Sequence, residues 1–348
     1  MPDRQNNRST CFLFFEIVEG MLIRLSVFLF FVLTISFFGS RSGASTPPSQ
    51  KLKPFENSSL EGQSLKEKLK TLTLNNTRSS SSALIFDLPV TYNKQVSKWI
   101  DYYQTKGQRW FREWLARSST YMPFIQKELN RANLPTDLAF MVMIESGFSP
   151  YSMSTANAVG PWQFIESTGT RYGLSKNWWI DERKDFGKST FAAIKYIKDL
   201  YEEFGSWYLV AASYNMGENG LRKQIKKHKT KDYWALIKLK ALPVETQEYV
   251  PKILAAMLIS KAPNLYGFRD ILRRDILDYD VVSVPGGTEI DSLADHLGIT
   301  RKALKDLNSE LILGYIPRQI SQHDIRVPKG SVSLVSQYLE VRRGKNWE

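Results

Sequence analysis

Apolar residues recur at three- and four-residue spacing through most of the chain between residues 83 and 277. This spacing places them on one face of an α-helix. The clearest run ends at Phe204 and is followed by Gly205, a residue type that commonly closes helices. A second helix is expected from Leu209 onwards, and a third from Pro251, with the proline in its first turn. Because strand patterns are scarce, the sequence predicts a mainly α-helical domain over residues 83–277.

The pattern changes after residue 277 and predicts a small strand–helix–helix–strand (βααβ) unit over residues 278–330. Gly298 closes the first of its helices, and Thr300 is suited to cap the N-terminus of the second. Residues 331–348 form a tail in this interpretation, and the pattern after Pro328 is compatible with a short helix there. The predicted strands and helices of the unit cover, in order, residues 280–284, 290–297, 300–308 and 324–327.

The N-terminal part of the chain has the layout of a secretory signal. A run of about 14 apolar or small hydroxyl residues, 25–38, follows Arg24 and precedes the small residues 42–45. We therefore expect a signal peptide at residues 1–44, with Met21 as an alternative start. The apolar run is shorter than the roughly 20 residues that span a bilayer. An uncleaved anchor is the alternative interpretation and the one expected route to membrane association.

Residues 45–82 are rich in proline, serine and asparagine, and few large apolar residues interrupt them. Such a composition buries too little surface to offset the entropy lost on ordering, so it predicts a flexible linker. With a secretory signal ahead of it, the remainder of the chain is expected in the periplasm or outside the cell.

The formal net charge of +12 favours an anionic partner. The basic stretch at residues 222–231 is compatible with nucleic-acid binding or with a solvated helix face. Export argues against nucleic acid, so we expect none. Cys11 is the single cysteine and cannot form an internal disulfide. The three histidines are too scattered for a metal site, so we expect no metal and no cofactor.

Glu145 is the candidate with the clearest chemistry. It ends a predicted helix over residues 135–145, after an almost unbroken apolar run. Apolar neighbours desolvate a carboxylate there, the negative end of the helix dipole repels it, and no basic residue is adjacent in sequence. All three raise its pKa, which a general acid near neutral pH requires. The alternative is a glutamate that simply surfaces at a helix end. Residues 144–174 combine small polar residues with Trp162 and Phe164, which favours a cleft-lining loop.

These segments resemble the lytic murein transglycosylases, specifically the D-type branch of the soluble lytic transglycosylase and goose-lysozyme-like superfamily. Glu145 and Ser146 match the family's catalytic glutamate–serine pair, and Ser154 matches its substrate-contacting serine. Pro161, where the family usually has a large apolar residue, and Ser213, in place of alanine, depart from the pattern. The other matching motifs, in family order, are WLARSSTY at 114–121, AVGPWQ at 158–163, DER at 181–183, ASYNMG at 212–217 and ETQEYVPK at 245–252.

The resemblance implies a lysozyme-like catalytic domain that acts on peptidoglycan glycan strands. The implied reaction cleaves the β-1,4 bond from N-acetylmuramic acid (MurNAc) to N-acetylglucosamine (GlcNAc) and forms 1,6-anhydroMurNAc. Two alternatives remain open: a hydrolytic lysozyme on the same scaffold, and a non-catalytic wall-binding protein. We expect a monomer.

The resemblance also implies roles for individual residues. Glu145 is the implied general acid and base, and Asp181 and Asp185 are interpreted as structural partners of Arg183 and Lys184. For Tyr214 a buried core position is the alternative to a cleft role. The implied substrate-binding residues are Ser154, Gln163, Tyr214, Asn215 and Tyr249.

The C-terminal βααβ unit is similar to a LysM glycan-binding module. Leu307–Asn308 and the closing Val327–Pro328 fit that pattern, whereas Gly287 stands where aspartate or asparagine is usual, and residues 317–323 look inserted. The unit is therefore interpreted as a degenerate LysM-like segment. It either binds glycan, in which case turnover of soluble glycans should not need it, or it is a packing appendage of the catalytic domain.

Overall fold

Helices dominate residues 85–345, the part of the chain that the structure, a computed structural model, describes. The signal peptide and linker expected at residues 1–82 lie outside the described residues. Within the described part, no helix is both long enough and apolar enough to cross a bilayer. The α-helices before the βααβ unit are α1 (Lys94–Gln104), α2 (Gln108–Arg131), α3 (Phe140–Ser146), α4 (Glu166–Arg171), α5 (Phe186–Phe204), α6 (Trp207–Met216), α7 (Glu218–His228), α8 (Tyr233–Lys238) and α9 (Val244–Lys261).

The short helix α3 lies at the centre of the larger hydrophobic core. Its first four residues, Phe140 to Met143, are almost fully buried. Helix α9 packs against α1, α3 and α6, and nearly all of its second half is buried. Each large apolar side chain removed from water in this way contributes roughly 1.5–3 kcal/mol. The prediction of a mainly helical domain with a buried helix before Glu145 is confirmed.

The start of that buried helix differs from the prediction. Residues Thr136–Ala139 form a 3₁₀ turn, and α3 proper begins at Phe140. The carboxylate of Asp87 accepts hydrogen bonds from the backbone N–H groups of Thr136 at 2.6 Å and of Asp137 at 2.9 Å. This cap comes from 49 residues earlier in the chain, so the local pattern could not reveal where the helix begins.

The expected position of Pro251 was wrong. It lies inside α9, seven residues after the first residue of the helix, and not in a first turn. A proline there leaves the carbonyl oxygen of Gln247 without its helical N–H donor. The Tyr233 hydroxyl supplies a partner, lying 3.1 Å from that oxygen and 2.9 Å from the oxygen of Thr246. This contact from α8 lets α9 continue through the proline.

The C-terminal unit has the predicted strand–helix–helix–strand order. Its two strands pair antiparallel, with Val282 opposite Ile325, and Thr300 caps its second helix through a bond from the Ala303 N–H to its hydroxyl. A further helix packs on the unit after the second strand, in the tail, where the sequence allowed a short helix. The elements are β1 (Tyr279–Pro285), α10 (Ile290–His296), α11 (Arg301–Leu307), β2 (Gln322–Pro328) and α12 (Val332–Lys345).

A second hydrophobic core lies under this unit. It includes Val335 and Tyr338 of α12, and also Trp179 and Ile180, which precede α5 in the helical part of the chain. The βααβ unit therefore shares its core with the domain before it. The other buried residues of this core are Val284, Ile290, Leu293, Ala294, Leu304, Leu311, Ile316, Ile325 and Val327.

Candidate active site

Glu145 lies in the last turn of α3, where the chain leaves the core. The next residues are Ser146 and Gly147, and Gly147 has a φ of +54°. A Cβ atom on Gly147 would lie 2.2 Å from Nε1 of Trp114. Only glycine fits both this backbone conformation and this close approach. The sharp turn holds the Glu145 side chain at the edge of the core, partly buried.

The Glu145 carboxylate is held by a tyrosine from another helix. The Tyr249 hydroxyl of α9 donates to Oε1 of Glu145 at 2.5 Å. Burial raises the pKa of Glu145 to about 7 and the negative charge of Glu245 adds to the effect, whereas the Tyr249 hydrogen bond and the positive charge of Lys252 oppose it. The side chain can therefore exist in both protonation states near neutral pH. No basic residue is adjacent to Glu145 in sequence, but the structure brings Lys252 near it from a different helix.

Tyr214 and Tyr249 both lie beside Glu145. Burial and the Glu145 charge raise the pKa of each phenol well above its usual value, so both remain hydrogen-bond donors. The Tyr214 hydroxyl donates to the carbonyl oxygen of Trp162 at 2.7 Å, and its ring packs near Trp162 and Phe164. Tyr214 therefore fixes the loop beside Glu145.

Residues 157–164, which we call the cleft loop, carry Gln163. Its Nε2 donates to the carbonyl oxygens of Ser152 at 3.1 Å and Gly160 at 2.9 Å. Ser154 accepts a bond from the Ala158 N–H at 3.1 Å. Ser146 Oγ donates to the Pro161 carbonyl at 2.8 Å, which ties the loop to the residue after Glu145.

Residues 181–185, which we call the brace segment, support the cleft loop from the other side. Asp181 and Arg183 form a buried ion pair with contacts of 2.9 and 2.8 Å. Arg183 also donates to the carbonyl oxygens of Asn157 at 3.0 Å and Phe164 at 3.2 Å, the first and last residues of the loop. Gly160, with φ +84°, lies so close to the Arg183 carbonyl that a Cβ atom would be 1.8 Å from its oxygen.

Asn215 is positioned at the end of α6. Its Oδ1 accepts a hydrogen bond from Thr246 Oγ1 at 2.7 Å, and Thr246 lies one helical turn before Tyr249 on α9. This bond joins the ends of the two helices that supply Tyr214 and Tyr249. Among the six candidate residues, Tyr249 contacts Glu145 directly, Tyr214 lies beside it, and the contacts of Ser154, Gln163 and Asn215 are with the surrounding loops and helices.

Four acidic residues that follow Glu145 in the sequence are each held by a base. Asp181 pairs with Arg183 as predicted, but Asp185 pairs with Arg326 and not with Lys184. The interpretation of Asp185 was wrong in its partner because Arg326 comes from the βααβ unit, 141 residues later. The other two pairs are Glu166 with Lys176 and Glu182 with Lys188.

Two residues that act on Glu145 were missed by sequence analysis. Glu245 and Lys252 lie on α9, four residues before and three residues after Tyr249. Helical periodicity places both on the same side of α9 as Tyr249, so this signal was available once the helix was known to extend from Val244 to Lys261.

The described residues offer no metal site, and a pocket between the helical domain and the βααβ unit is not formed by the candidate residues. Across residues 85–345 no three His, Cys, Asp or Glu side chains are grouped so that they could hold a metal ion. A small pocket between the helical domain and the βααβ unit is lined by residues of both, including Phe186, Tyr279 and Arg326. It contains none of the six candidate residues.

Two family models match the chain in sequence. The "Transglycosylase SLT domain" matches residues 122–237, and the "Lytic transglycosylase MltD, LysM-like domain" matches residues 278–341. The first match contains Glu145, Ser154, Gln163, Tyr214 and Asn215. The second includes most of α12, so the LysM-like unit extends past residue 330.

Curated relatives agree with these matches. "Membrane-bound lytic murein transglycosylase D" of Escherichia coli (strain K12) is 37% identical over 198 residues, which cover 56% of this chain and 43% of that protein. The chain thus spans less than half the length of this relative. A "Putative tributyltin chloride resistance protein" of Alteromonas sp. (strain M-1) is 30% identical over 43% of this chain and 73% of that protein.

A solved structure of the lytic transglycosylase Slt from Pseudomonas aeruginosa, an inactive mutant, has a TM-score of 0.33 and 18% identity to this chain. The match covers 43% of this chain and 25% of that one, and a likeness this low supports no inference. The two family models match separate, consecutive parts of the chain, and the curated relative of Escherichia coli is named a lytic murein transglycosylase of the D type. The chain therefore carries a transglycosylase SLT domain, followed by a LysM-like domain of the MltD type.

Proposed function

We propose that this chain is a peptidoglycan lytic transglycosylase that cleaves the bond from MurNAc to GlcNAc and forms 1,6-anhydroMurNAc, with Glu145 as general acid and base. The observation that carries the proposal is the environment of Glu145. Its pKa is raised to about 7 and its carboxylate is hydrogen-bonded to Tyr249, and Glu145 lies within the match to the SLT domain.

The reaction needs one group that first gives and then takes a proton. Protonated Glu145 donates its proton to the glycosidic oxygen as the bond from that oxygen to C1 of MurNAc breaks. The resulting carboxylate accepts the proton of the C6 hydroxyl while that oxygen forms a new bond to C1. The anhydro ring closes, Glu145 is protonated again, and no water is consumed. This sequence needs no second carboxylate, and the four following acids are engaged in ion pairs.

The other candidate residues have supporting roles in this proposal. Tyr249 steadies the Glu145 carboxylate and either stabilises the positively charged sugar centre or holds the acetamido group of the sugar. Ser154, Gln163 and Asn215 orient the sugar by hydrogen bonds, and Tyr214 keeps the cleft loop in place.

The substrate and location belong to the proposal as well. We propose export across the inner membrane, action on the cell wall as a monomer, and attraction between the net charge of +12 and the carboxylates of the peptide stems.

Mass spectrometry of digested peptidoglycan tests the proposal. We expect muropeptides lighter by one water than those of a hydrolase, and no products from Glu145→Gln. Glu166→Gln is the matched control, because Glu166 begins α4 just after the cleft loop and pairs with Lys176 at the surface. Products with reducing ends only would establish the hydrolytic lysozyme instead. Cleavage by a folded Glu145→Gln protein would overturn the assignment of Glu145.

A further inference from the structure

The LysM-like unit is joined to the brace segment by main-chain pairing. Ile180 and Leu311 form an antiparallel bridge, flanked by hydrogen bonds from Asp181 N–H to the Glu310 carbonyl at 2.8 Å and from Ile312 N–H to the Trp179 carbonyl at 2.9 Å. Paired backbone of this kind fixes the relative register of two segments. If the unit were joined to the helical domain only by a flexible linker, these backbone N–H and carbonyl groups would bond to water instead.

A buried ion pair completes this junction. The two terminal oxygens of Asp185 accept bonds from Arg326 at 2.8 and 2.6 Å, and only 16% of the Arg326 side chain and 1% of the Asp185 side chain are exposed. Arg326 also lies 3.3 Å from Glu310. Asn308 holds the Arg326 backbone on both sides, accepting from its N–H at 2.7 Å and donating to its carbonyl at 2.8 Å. A planar guanidinium held at Nη2 by Asp185 and at Nη1 by Glu310 is fixed in orientation as well as paired in charge.

The brace segment connects the LysM-like unit to the cleft loop through hydrogen bonds. Ser309 Oγ of the LysM-like unit donates to the Lys184 carbonyl at 2.8 Å. The preceding residue, Arg183, holds both ends of the cleft loop and touches Gly160 at its middle. The loop contacts Ser146 and Tyr214 on its other side, next to Glu145.

A second contact reaches the same region independently. Tyr151, in the segment between α3 and the cleft loop, places its hydroxyl 3.0 Å from a carboxylate oxygen of Asp306 and 3.1 Å from the Lys305 carbonyl. Both residues belong to α11 of the LysM-like unit. The LysM-like unit therefore contacts the segment before the cleft loop, at Tyr151, and the brace segment after it.

We propose that the LysM-like unit positions the cleft loop for the reaction at Glu145, and that Arg326 is the positioning residue through which it acts. The proposal rests on the function proposed above for Glu145. It assigns the unit a part in turnover itself, in addition to any affinity for the wall. Soluble glycans should therefore need the unit as much as insoluble sacculi do.

The test uses the full chain with Arg326→Met, which removes the charge, and Arg326→Lys, which keeps the charge but not the paired contacts. Ser309→Ala is a milder variant that leaves no buried charge behind. The matched control is Arg301→Met, because Arg301 also forms an ion pair of two hydrogen bonds, with Asp295, but at the surface of the same unit. Thermal melting and circular dichroism select the variants that remain folded.

Hydrogen exchange of the cleft loop is the first measurement, because it does not depend on activity. The N–H groups of Val159, Gly160 and Gln163 are bonded within this region. We expect faster exchange of residues 157–164 in Arg326→Met and a smaller increase in Ser309→Ala. Arg301→Met should match the wild type.

Turnover of a short soluble glycan is the second measurement. A displaced loop should lower kcat on the order of 10- to 100-fold in Arg326→Met, since small misplacements are costly in catalysis. Arg326→Lys should recover part of the loss, and KM should change less than kcat. Binding to purified sacculi should stay near the wild-type value.

Three outcomes would overturn the proposal: unchanged exchange of the loop, unchanged kcat in a folded Arg326→Met protein, or a loss confined to sacculus binding. If the wild type cleaves no glycan, the proposed function fails, and the exchange data still decide whether the unit positions the loop.

Discussion

The Tyr249 hydroxyl donates to the Glu145 carboxylate across 104 residues of sequence, and this bond joins the C-terminal end of α3 to α9. This hydrogen bond lowers the pKa of Glu145, whereas burial, the larger effect, raises it. Burial favours the neutral acid, whereas the tyrosine bond favours the carboxylate, and burial prevails. The result is a carboxyl group that can lose and regain a proton near pH 7, held at a fixed position by its partner.

Glu145→Gln should remove activity and stabilise the fold at alkaline pH. The folded pKa is about 7 and the unfolded value about 4.5, so between them the folded state binds more protons. Raising the pH across this window therefore destabilises the wild type, by at most about 3 kcal/mol. Glutamine never ionises. The difference in melting temperature between variant and wild type should grow from pH 4.5 to pH 8.

The control for this comparison is Glu166→Gln, whose carboxylate lies at the surface. Its melting temperature should differ from the wild type by a small amount that is the same at pH 6 and pH 8. A stability difference for Glu145→Gln that does not change with pH would mean that Glu145 ionises as an ordinary glutamate.

Two charges on α9 should shift the pH–rate profile in opposite directions. A general acid must be protonated, so activity falls as pH rises through its pKa. Glu245→Gln removes a like charge and should move the alkaline limb to lower pH, whereas Lys252→Met removes an attractive cation and should move it higher. Exposed charge pairs predict shifts of about 0.1–0.7 pH unit.

Lys98→Met is the control for the second variant. Lys98 and Lys252 both lie over the Trp99 ring, but Lys98 is not among the charges that shift the pKa of Glu145. Its profile should match the wild type. If Glu245→Gln and Lys252→Met shifted the alkaline limb of the pH–rate profile in the same direction, that limb would not report the ionisation of Glu145.

Local patterns were sufficient for the parts of the fold that depend on near neighbours. The end of α5 at Gly205, the N-cap at Thr300 and the strand–helix–helix–strand order all follow from residues within one turn of each other. The buried helix before Glu145 was predictable for the same reason, because its apolar run admits no exposed face.

Distant partners explain what the sequence could not predict. Pro251 lies inside a helix because Tyr233 bonds the carbonyl that the proline leaves free. Asp185 has Arg326 as its partner because two segments 141 residues apart are brought together. The family resemblance implied Tyr249 only as a substrate-binding residue, and its contact with Glu145 was not predicted, since no local pattern relates α3 to α9.

Gly160→Ala should disrupt the cleft loop far more than a strained backbone alone would. At φ +84° a Cβ atom costs about 1–2 kcal/mol. At this position it would also lie 1.8 Å from the Arg183 carbonyl oxygen, so the loop or the brace segment has to move. We expect activity to fall at least tenfold and the melting temperature to drop.

Gly173→Ala isolates the backbone effect. Gly173 has φ +91°, and a Cβ atom there meets nothing within 4 Å. It should lose some stability and keep its activity. Equal activity in the two variants would show that the close approach of Gly160 to Arg183 has no bearing on turnover.

Removing residues 278–348 should destabilise the helical domain. Removal of a separable binding module would leave that domain unchanged. Trp179 and Ile180 are 7% and 4% exposed and lie in the core of the LysM-like unit, so truncation would place them in water. We expect a lower melting temperature and reduced turnover of soluble glycans. A truncated protein with wild-type stability and wild-type turnover would show that the unit is only an accessory.

Adjacent tryptophans allow the same point to be tested in the full chain. Trp179 is buried in the shared core, whereas Trp178, the residue before it, is 58% exposed. Truncating a buried aromatic side chain to alanine leaves a cavity and costs about 3–5 kcal/mol, but truncating an exposed one costs little. Trp179→Ala should therefore lower the melting temperature sharply and loosen the bridge between Ile180 and Leu311, and Trp178→Ala should do neither. Because both changes delete the same side chain one residue apart, a difference between them measures the packing of the LysM-like unit against its neighbour. Equal melting temperatures would mean that this packing contributes nothing to the fold in solution.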